Sequence, residues 1–197
     1  MKKLSFTLLF SAILVLSGCK NDKDKDADDN LSPAETNQTT QTEVEEEAKK
    51  ITVTIESRSG SNLSGNAVFT EENGQVTMTA IVDGLAEGLH AIHLHESADC
   101  SAQDGSSAGG HWNPTAEKHG EWGDAKGYHR GDIGNFKVDA NGNGTITKTT
   151  DQWCIGCDDQ NKNIVGKALL VHEGVDDFTS QPAGNAGNRV GCGSIKM

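Results

Sequence analysis

The sequence predicts an all-β domain: an antiparallel sandwich or barrel built from eight short strands. Three observations carry that expectation. Apolar and polar residues alternate in short runs, Gly- and Asn-rich turns punctuate the runs, and no stretch after residue 18 shows a helical period.

Ile51–Glu56 (ITVTIE) alternates Ile and Val with Thr and Glu, the pattern of a half-buried strand. Ala67–Thr70 and Val76–Val82 follow, joined across Glu72-Asn73-Gly74, a hairpin signal. His90–Glu96 is the fourth strand. A Gly-rich loop over roughly residues 97–132 has no strand pattern. Asn135–Val138 and Gly144–Lys148 flank Asn141-Gly142-Asn143, a second hairpin signal. Val165–His172 and Arg189–Ile195 complete the set. No internal repeat is visible.

Two segments precede this domain. Residues 1–18 read as a signal peptide, with Lys2 and Lys3 ahead of an apolar run through Leu16, too short for a membrane span. Leu16-Ser17-Gly18-Cys19 resembles a bacterial lipobox, so Cys19 is the expected lipidated N-terminus of the mature chain. Residues 19–50 form the tether. Positions 20–50 hold ten acidic and five basic side chains and almost no large apolar ones, so they cannot offset the entropy of ordering. Their KNDKDKDADD start reads as solvated spacer rather than as a sorting signal. The expected product is exported and anchored in a lipid membrane, on the periplasmic or cell-surface face.

The domain, residues 51–197, carries nineteen acidic and ten basic residues. It lacks a basic stripe, which argues against a nucleic-acid partner. Cys100, Cys192 and the pair Cys154-x-x-Cys157 fall within it. In an exported chain four cysteines fit two disulfides. For Cys154 and Cys157 a local structural disulfide is one reading; copper acquisition or a redox role is the other.

Six of the seven histidines fall into one ordered series: His93, His95, His111, His119, His129 and His172, with Asp132 three residues after His129. On a strand, His93 and His95 point to the same face and can reach one ion. Imidazoles with one carboxylate suit copper and zinc, not magnesium or calcium. A tetrahedral zinc takes about four ligands. Seven are too many for one ion and one short of two complete sites. A ligand shared between two ions closes the gap, and a deprotonated imidazole can use both nitrogens. His111 is the candidate, standing between the strand pair and the loop pair.

The stretches Gly84–Glu96 (GLAEGLHAIHLHE), Ala108–Pro114 (AGGHWNP), His129–Gly134 (HRGDIG), Leu170–Glu173 (LVHE) and Gly184–Gly193 (GNAGNRVGCG) resemble copper/zinc superoxide dismutases. The likeness covers nearly all of residues 51–197. It implies an eight-stranded Greek-key sandwich or barrel, immunoglobulin-like, with long metal-binding loops. It implies copper on His93, His95, His111 and His172, and zinc on His111, His119, His129 and Asp132. Copper would cycle between two oxidation states while the His111 bridge opens and takes a proton. Superoxide would be the substrate, oxygen and hydrogen peroxide the products. The resemblance also implies a Cys100–Cys192 disulfide, and Arg189 at the mouth of the copper site. It implies that Asp176 hydrogen-bonds one copper ligand and one zinc ligand, with Asp177 beside it as a competitor. His90 is implied to be structural.

Two departures from the pattern stand out. Asp151–Asn163 is an insertion relative to many relatives. The segment from His172 to Arg189 is short and contains no lysine, so steering by a charged guiding loop is not expected. A surface lipoprotein that sequesters copper or zinc without turnover is the rival reading; it would be favoured by loss of a copper histidine or of Arg189, and both are present. A purely structural sandwich leaves the ligand series unexplained. The sequence does not specify an oligomeric state.

Overall fold

The computed structural model describes residues 48–197. The signal peptide, Cys19 and nearly all of the tether lie outside the described residues. Eight strands are present: β1 (Lys49–Ser57), β2 (Ser64–Glu72), β3 (Gln75–Asp83), β4 (Gly88–His95), β5 (Gly134–Val138), β6 (Gly144–Thr150), β7 (Ala168–His172) and β8 (Arg189–Ser194). They close into an antiparallel barrel in the order β1-β2-β3-β6-β5-β4-β7-β8. The connections β3 to β4 and β6 to β7 leave the order of the chain, which makes the topology a Greek key. Among the described residues no helix is long and apolar enough to cross a membrane.

Alternation fixes which side chains enter the barrel. Ile51, Val53 and Ile55 of β1 face inward with Phe69, Met78, Val82 and Val138. Asn73 and Gly74 both adopt positive φ, 50° and 73°, as a tight two-residue hairpin requires. On the outer face Thr77 and Thr79 hydrogen-bond Thr149 and Thr147 across β3 and β6.

Several boundaries differ from the alternation pattern, β1 and β7 among them. β1 starts at Lys49, inside the stretch read as tether, because Lys49 and Lys50 pair with Glu71 and Thr70. β7 starts at Ala168 rather than Val165: Lys167 N donates to the Ile164 carbonyl and Gly166 takes φ 88°, so the chain turns there. The long loop also holds one 3-10 turn, Ser106–Ala108.

The seam that closes the barrel is narrow. β1 meets β8 through Glu56 opposite Cys192 and Ser57 opposite Gly191. Arg58 reinforces it by donating from Nε and Nη2 to the Cys100 carbonyl at 3.0 and 2.6 Å.

β7 is buried along its whole length. Leu169 and Val171 join the barrel core, whereas Ala168 and Leu170 pack with Ala108, Cys192 and Cys100 beneath the long loop. The outer face of β4 and β7 is therefore covered too. That covered face carries the histidines.

Candidate metal centre

Ile92 and Leu94 point into the barrel core, so His93 and His95 point outward by the two-residue period. β7 lies antiparallel beside β4, and His172 shares that outer face. The loop after β4 returns over it: His111 forms an isolated bridge with His95, and Trp112 N donates to the Leu94 carbonyl. His111, His119, His129 and Asp132 are delivered from this loop. All seven side chains are buried.

They form two groups that share one member. Ligand atoms of His93, His95, His111 and His172 lie within 4.8 Å of one another, as do those of His111, His119, His129 and Asp132. The His111 ring sits centrally, 4.1 Å from His93 and 4.9 Å from His95 by centroid, and 5.3 and 5.7 Å from His119 and His129. His111 Nδ1 lies 2.8 Å from Asp132 Oδ1, while its Nε2 is buried without a partner.

Several other nitrogens are left in the same condition. His93 Nδ1 is buried and unpaired. His119 Nδ1 and His129 Nδ1 stand 3.0 and 3.1 Å from Asp132 oxygens, yet neither is angled to hydrogen-bond them. His95 Nε2 and His172 Nε2 face each other at 3.4 Å. Orphaned buried nitrogens converging from several directions are costly without a common electrophile. The donor set therefore fits two ions of the copper and zinc type.

The opposite ring nitrogens are held. His93 Nε2 lies 2.8 Å from Asp176 Oδ2, and His119 Nε2 lies 2.8 Å from Asp176 Oδ1. His95 Nδ1 faces the Gly109 carbonyl at 3.0 Å, and His172 Nδ1 faces the Gly187 carbonyl at 3.5 Å. Such partners fix the tautomer of a ligating imidazole. Asp177, by contrast, is exposed and binds Thr179 and Ser180 in its own turn. His90 stays out of both groups; its ring nitrogens face the carbonyls of His172 and Ala86.

Burial and pairing set the protonation states. Burial, and then neighbouring His111, push His95 well below its ordinary pKa; burial, and then His93, do so for His172. Burial lowers His111 to about 4. Burial alone would raise both carboxyls. Contacts with His111, His119 and His129 nevertheless hold Asp132 well below the carboxylate range, and His119 and His93 do the same for Asp176. Burial would also lower His119, but Asp132 and Asp176 together raise it to about 9. Ionised carboxylates and neutral imidazoles are the forms that bind metal.

Arg189 sits beside this cluster, in register with His172. Its guanidinium is pinned, donating from Nη1 to the Gly105 carbonyl at 2.7 Å and from Nη2 to the Gly109 carbonyl at 2.8 Å. Its charge helps depress both His95 and His172. Cys100 and Cys192 are disulfide-bonded, which ties the loop carrying Gly105 and Gly109 to β8; Cys154 and Cys157 form a second disulfide.

Sequence reasoning missed two residues. Gln181 brackets His119, accepting from its N–H and donating to its carbonyl, each at 2.9 Å. Gly184 takes φ 67°, and a Cβ there would collide with the Asp176 carboxylate and the His119 ring. The Gly184–Gly193 stretch drew attention as a motif, but nothing local in it announces this contact.

The comparisons with known proteins agree with the geometry. The family model for copper/zinc superoxide dismutase (SODC) matches residues 63–195. The chain is 36% identical over 135 residues to "Superoxide dismutase [Cu-Zn] 2" of Aquifex aeolicus (strain VF5), covering 67% of this chain and 78% of that protein. Among solved structures it is similar to a double mutant of a SOD-like protein from Bacillus subtilis, with TM-score 0.66 and 28% identity over 74% of this chain and 97% of the other. It is likewise similar to the clock protein EA4, with TM-score 0.66 and 31% identity over 75% and 94% of the two chains.

Proposed function

The chain belongs to the copper/zinc superoxide dismutase family, and from that premise we propose how its own residues divide the work. It is an oxidoreductase whose cofactors are copper and zinc, converting two superoxide anions and two protons to oxygen and hydrogen peroxide. His93, His95, His111 and His172 are the copper ligands; His111, His119, His129 and Asp132 are the zinc ligands. Copper supplies one-electron redox chemistry when bound, and zinc a fixed positive charge beside His111.

His111 is the proton-handling residue. Its Nδ1 is directed at Asp132 and its Nε2 is buried and unpartnered, which leaves Nε2 as the atom that can take up and release a proton. Burial makes the imidazolium form unfavourable, so a proton held there is readily given up. Asp132 orients the ring through its contact with Nδ1. Asp176 holds His93 and His119 at once, which couples the two ion sites mechanically. Arg189 draws in the anion: its charge is fixed by two carbonyls rather than neutralised by a carboxylate.

One observation carries this reading: His111 belongs to both ligand groups. Metal analysis of the purified protein, alongside superoxide decay with and without added copper, tests it. Expected are one copper and one zinc per chain and a copper-dependent acceleration. A protein that holds both metals without accelerating decay is the sequestering lipoprotein instead. Export and a lipid anchor through Cys19 belong to the same proposal and rest on the sequence before the barrel.

A further inference from the structure

His129 differs from the other ligand residues. Among the described residues, His93, His95, His119 and His172 each engage a carboxylate or carbonyl through the nitrogen turned away from the cluster. His111 turns Nδ1 to Asp132, and its Nε2 is buried without a partner. His129 Nδ1 faces Asp132, and no described side chain or carbonyl hydrogen-bonds its Nε2. Its own backbone is held by Asp132, whose Oδ2 accepts from His129 N at 2.8 Å and whose N donates to the His129 carbonyl at 3.1 Å, and the residues on either side are gripped as well.

This grip on the neighbours comes from Asp151–Asn163, the segment bearing Cys154 and Cys157. Ahead of His129, the Tyr128 hydroxyl donates to Gln152 Oε1 at 3.0 Å and accepts from Gln152 Nε2 at 2.7 Å. Behind it, Trp153 Nε1 donates to the Arg130 carbonyl at 2.9 Å. Trp122 of the same loop packs edge-on against Trp153 at 5.6 Å and lies 5.2 Å from Tyr128.

The segment is itself well anchored. Trp153, Ile155 and Ile164 are fully buried in the barrel core. Ile155 N donates to Glu71 Oε2, Cys154 N to the Lys162 carbonyl, and Ile164 N to the Cys154 carbonyl. The disulfide closes the turn between.

We propose that Gln152 and Trp153 are positioning residues for His129, and that the segment Asp151–Asn163 holds the zinc loop in its binding shape. The proposal rests on the assignment of His129 as a zinc ligand. A ring without its own hydrogen-bond partner is normally free to turn. Here the two residues flanking it are fastened to a buried element, and the freedom is removed one bond further out.

The test uses the full protein loaded with copper and zinc. Zinc release is followed with a chromogenic chelator, and Co²⁺ substituted for Zn²⁺ reports ligand geometry in its visible spectrum. Trp153→Phe keeps an aromatic ring in the core and removes the donor to Arg130, together with part of the ring that packs against Trp122. Gln152→Ala and Tyr128→Phe cut the other contact from its two ends. Trp153→Phe is expected to speed zinc release by about tenfold, the low end for outer partners of metal ligands. It is also expected to shift the Co²⁺ bands, with copper retained. Gln152→Ala and Tyr128→Phe should each speed release, and the double variant should be no faster than either alone. Wild-type zinc release and Co²⁺ spectra in all of these variants would overturn the proposal. Failure of the wild type itself to retain zinc would instead overturn the ligand assignment on which it rests.

Discussion

Asp132 and Asp176 grip opposite nitrogens of a single ring: His119 Nδ1 lies 3.0 Å from Asp132 Oδ2, and its Nε2 lies 2.8 Å from Asp176 Oδ1. In metal-free protein this grip raises His119 to about 9, so the ring is protonated at neutral pH. A base raised in the folded state stabilises fully below its unfolded pKa of 6.5 and loses that contribution as pH climbs through about 9. Metal-free protein should therefore lose this contribution to thermal stability between pH 7 and 9. Zinc must displace the same proton, so zinc affinity should rise across that window with proton release. Asp176→Asn removes half of the grip and should flatten both trends. Melting curves and zinc titrations over this range check the pair; a pH-independent zinc affinity contradicts it.

Asp132 belongs to one ligand group and His111 to both. Asp132→Ala is expected to lose zinc first and keep a copper signal from a loosened site. His111→Ala should perturb both ions. Metal analysis with copper electron paramagnetic resonance distinguishes them, and equal loss of both metals from each variant would rule out the shared ring.

Arg189→Glu should slow turnover more than tenfold, equivalent to about 1.4 kcal/mol of barrier. The domain repels superoxide at long range, its net charge being about −9. Arg189 acts locally in the opposite sense, pinned by Gly105 and Gly109. Salt screens charges beyond about 8–10 Å. The wild-type rate should fall gently as salt rises, and the Arg189→Glu rate should rise, with both metals still bound. A variant with intact metals and the wild-type rate would remove Arg189 from the site.

The two disulfides should differ in what they contribute. Cys100–Cys192 spans 92 positions, for which loop-closure entropy gives about 4–5 kcal/mol; Cys154–Cys157 spans 3, for which it gives about 2 kcal/mol. Denaturant titration of the paired Ser variants should reproduce that order. Non-reducing peptide mapping of the wild type should recover both pairs, and a Cys100–Cys154 peptide would refute the pairing.

Cys19→Ser should release the protein from membranes into the soluble fraction. Wild type that already fractionates as soluble, with an unmodified N-terminus, would end the lipid-anchor proposal.

Much of this was legible in the chain. Alternation located half-buried strands such as β1 and β3, whose inward residues repeat every two positions, and Asn73-Gly74 announced its hairpin through the positive φ it must adopt. The histidines were legible because ligand chemistry restricts residue type. What escaped depends on the return of distant segments. Gln181 meets His119 across 62 positions and Arg189 meets Gly105 across 84, and no local period encodes either encounter. Nor does Cys154-x-x-Cys157 reveal that its neighbour Trp153 reaches back 23 positions to the carbonyl beside His129. The start of β7 was misplaced because Val165 looks like strand, whereas Gly166 and the buried Ile164 make a turn.

A sheet that closes on itself offers no free edge on which another chain can template. In this barrel that protection is thin where β1 and β8 meet, through two residue pairs. Part of the fastening there comes from outside the sheet, from Arg58 on the Cys100 carbonyl and Ser61 Oγ on the Val190 carbonyl. Reduction of Cys100–Cys192 would free one end of that fastening. The backbone groups then uncovered along β1 and β8 would be open to pairing between molecules. Aggregation of this protein under reducing stress should therefore begin at that seam, by strand addition from one barrel to the next.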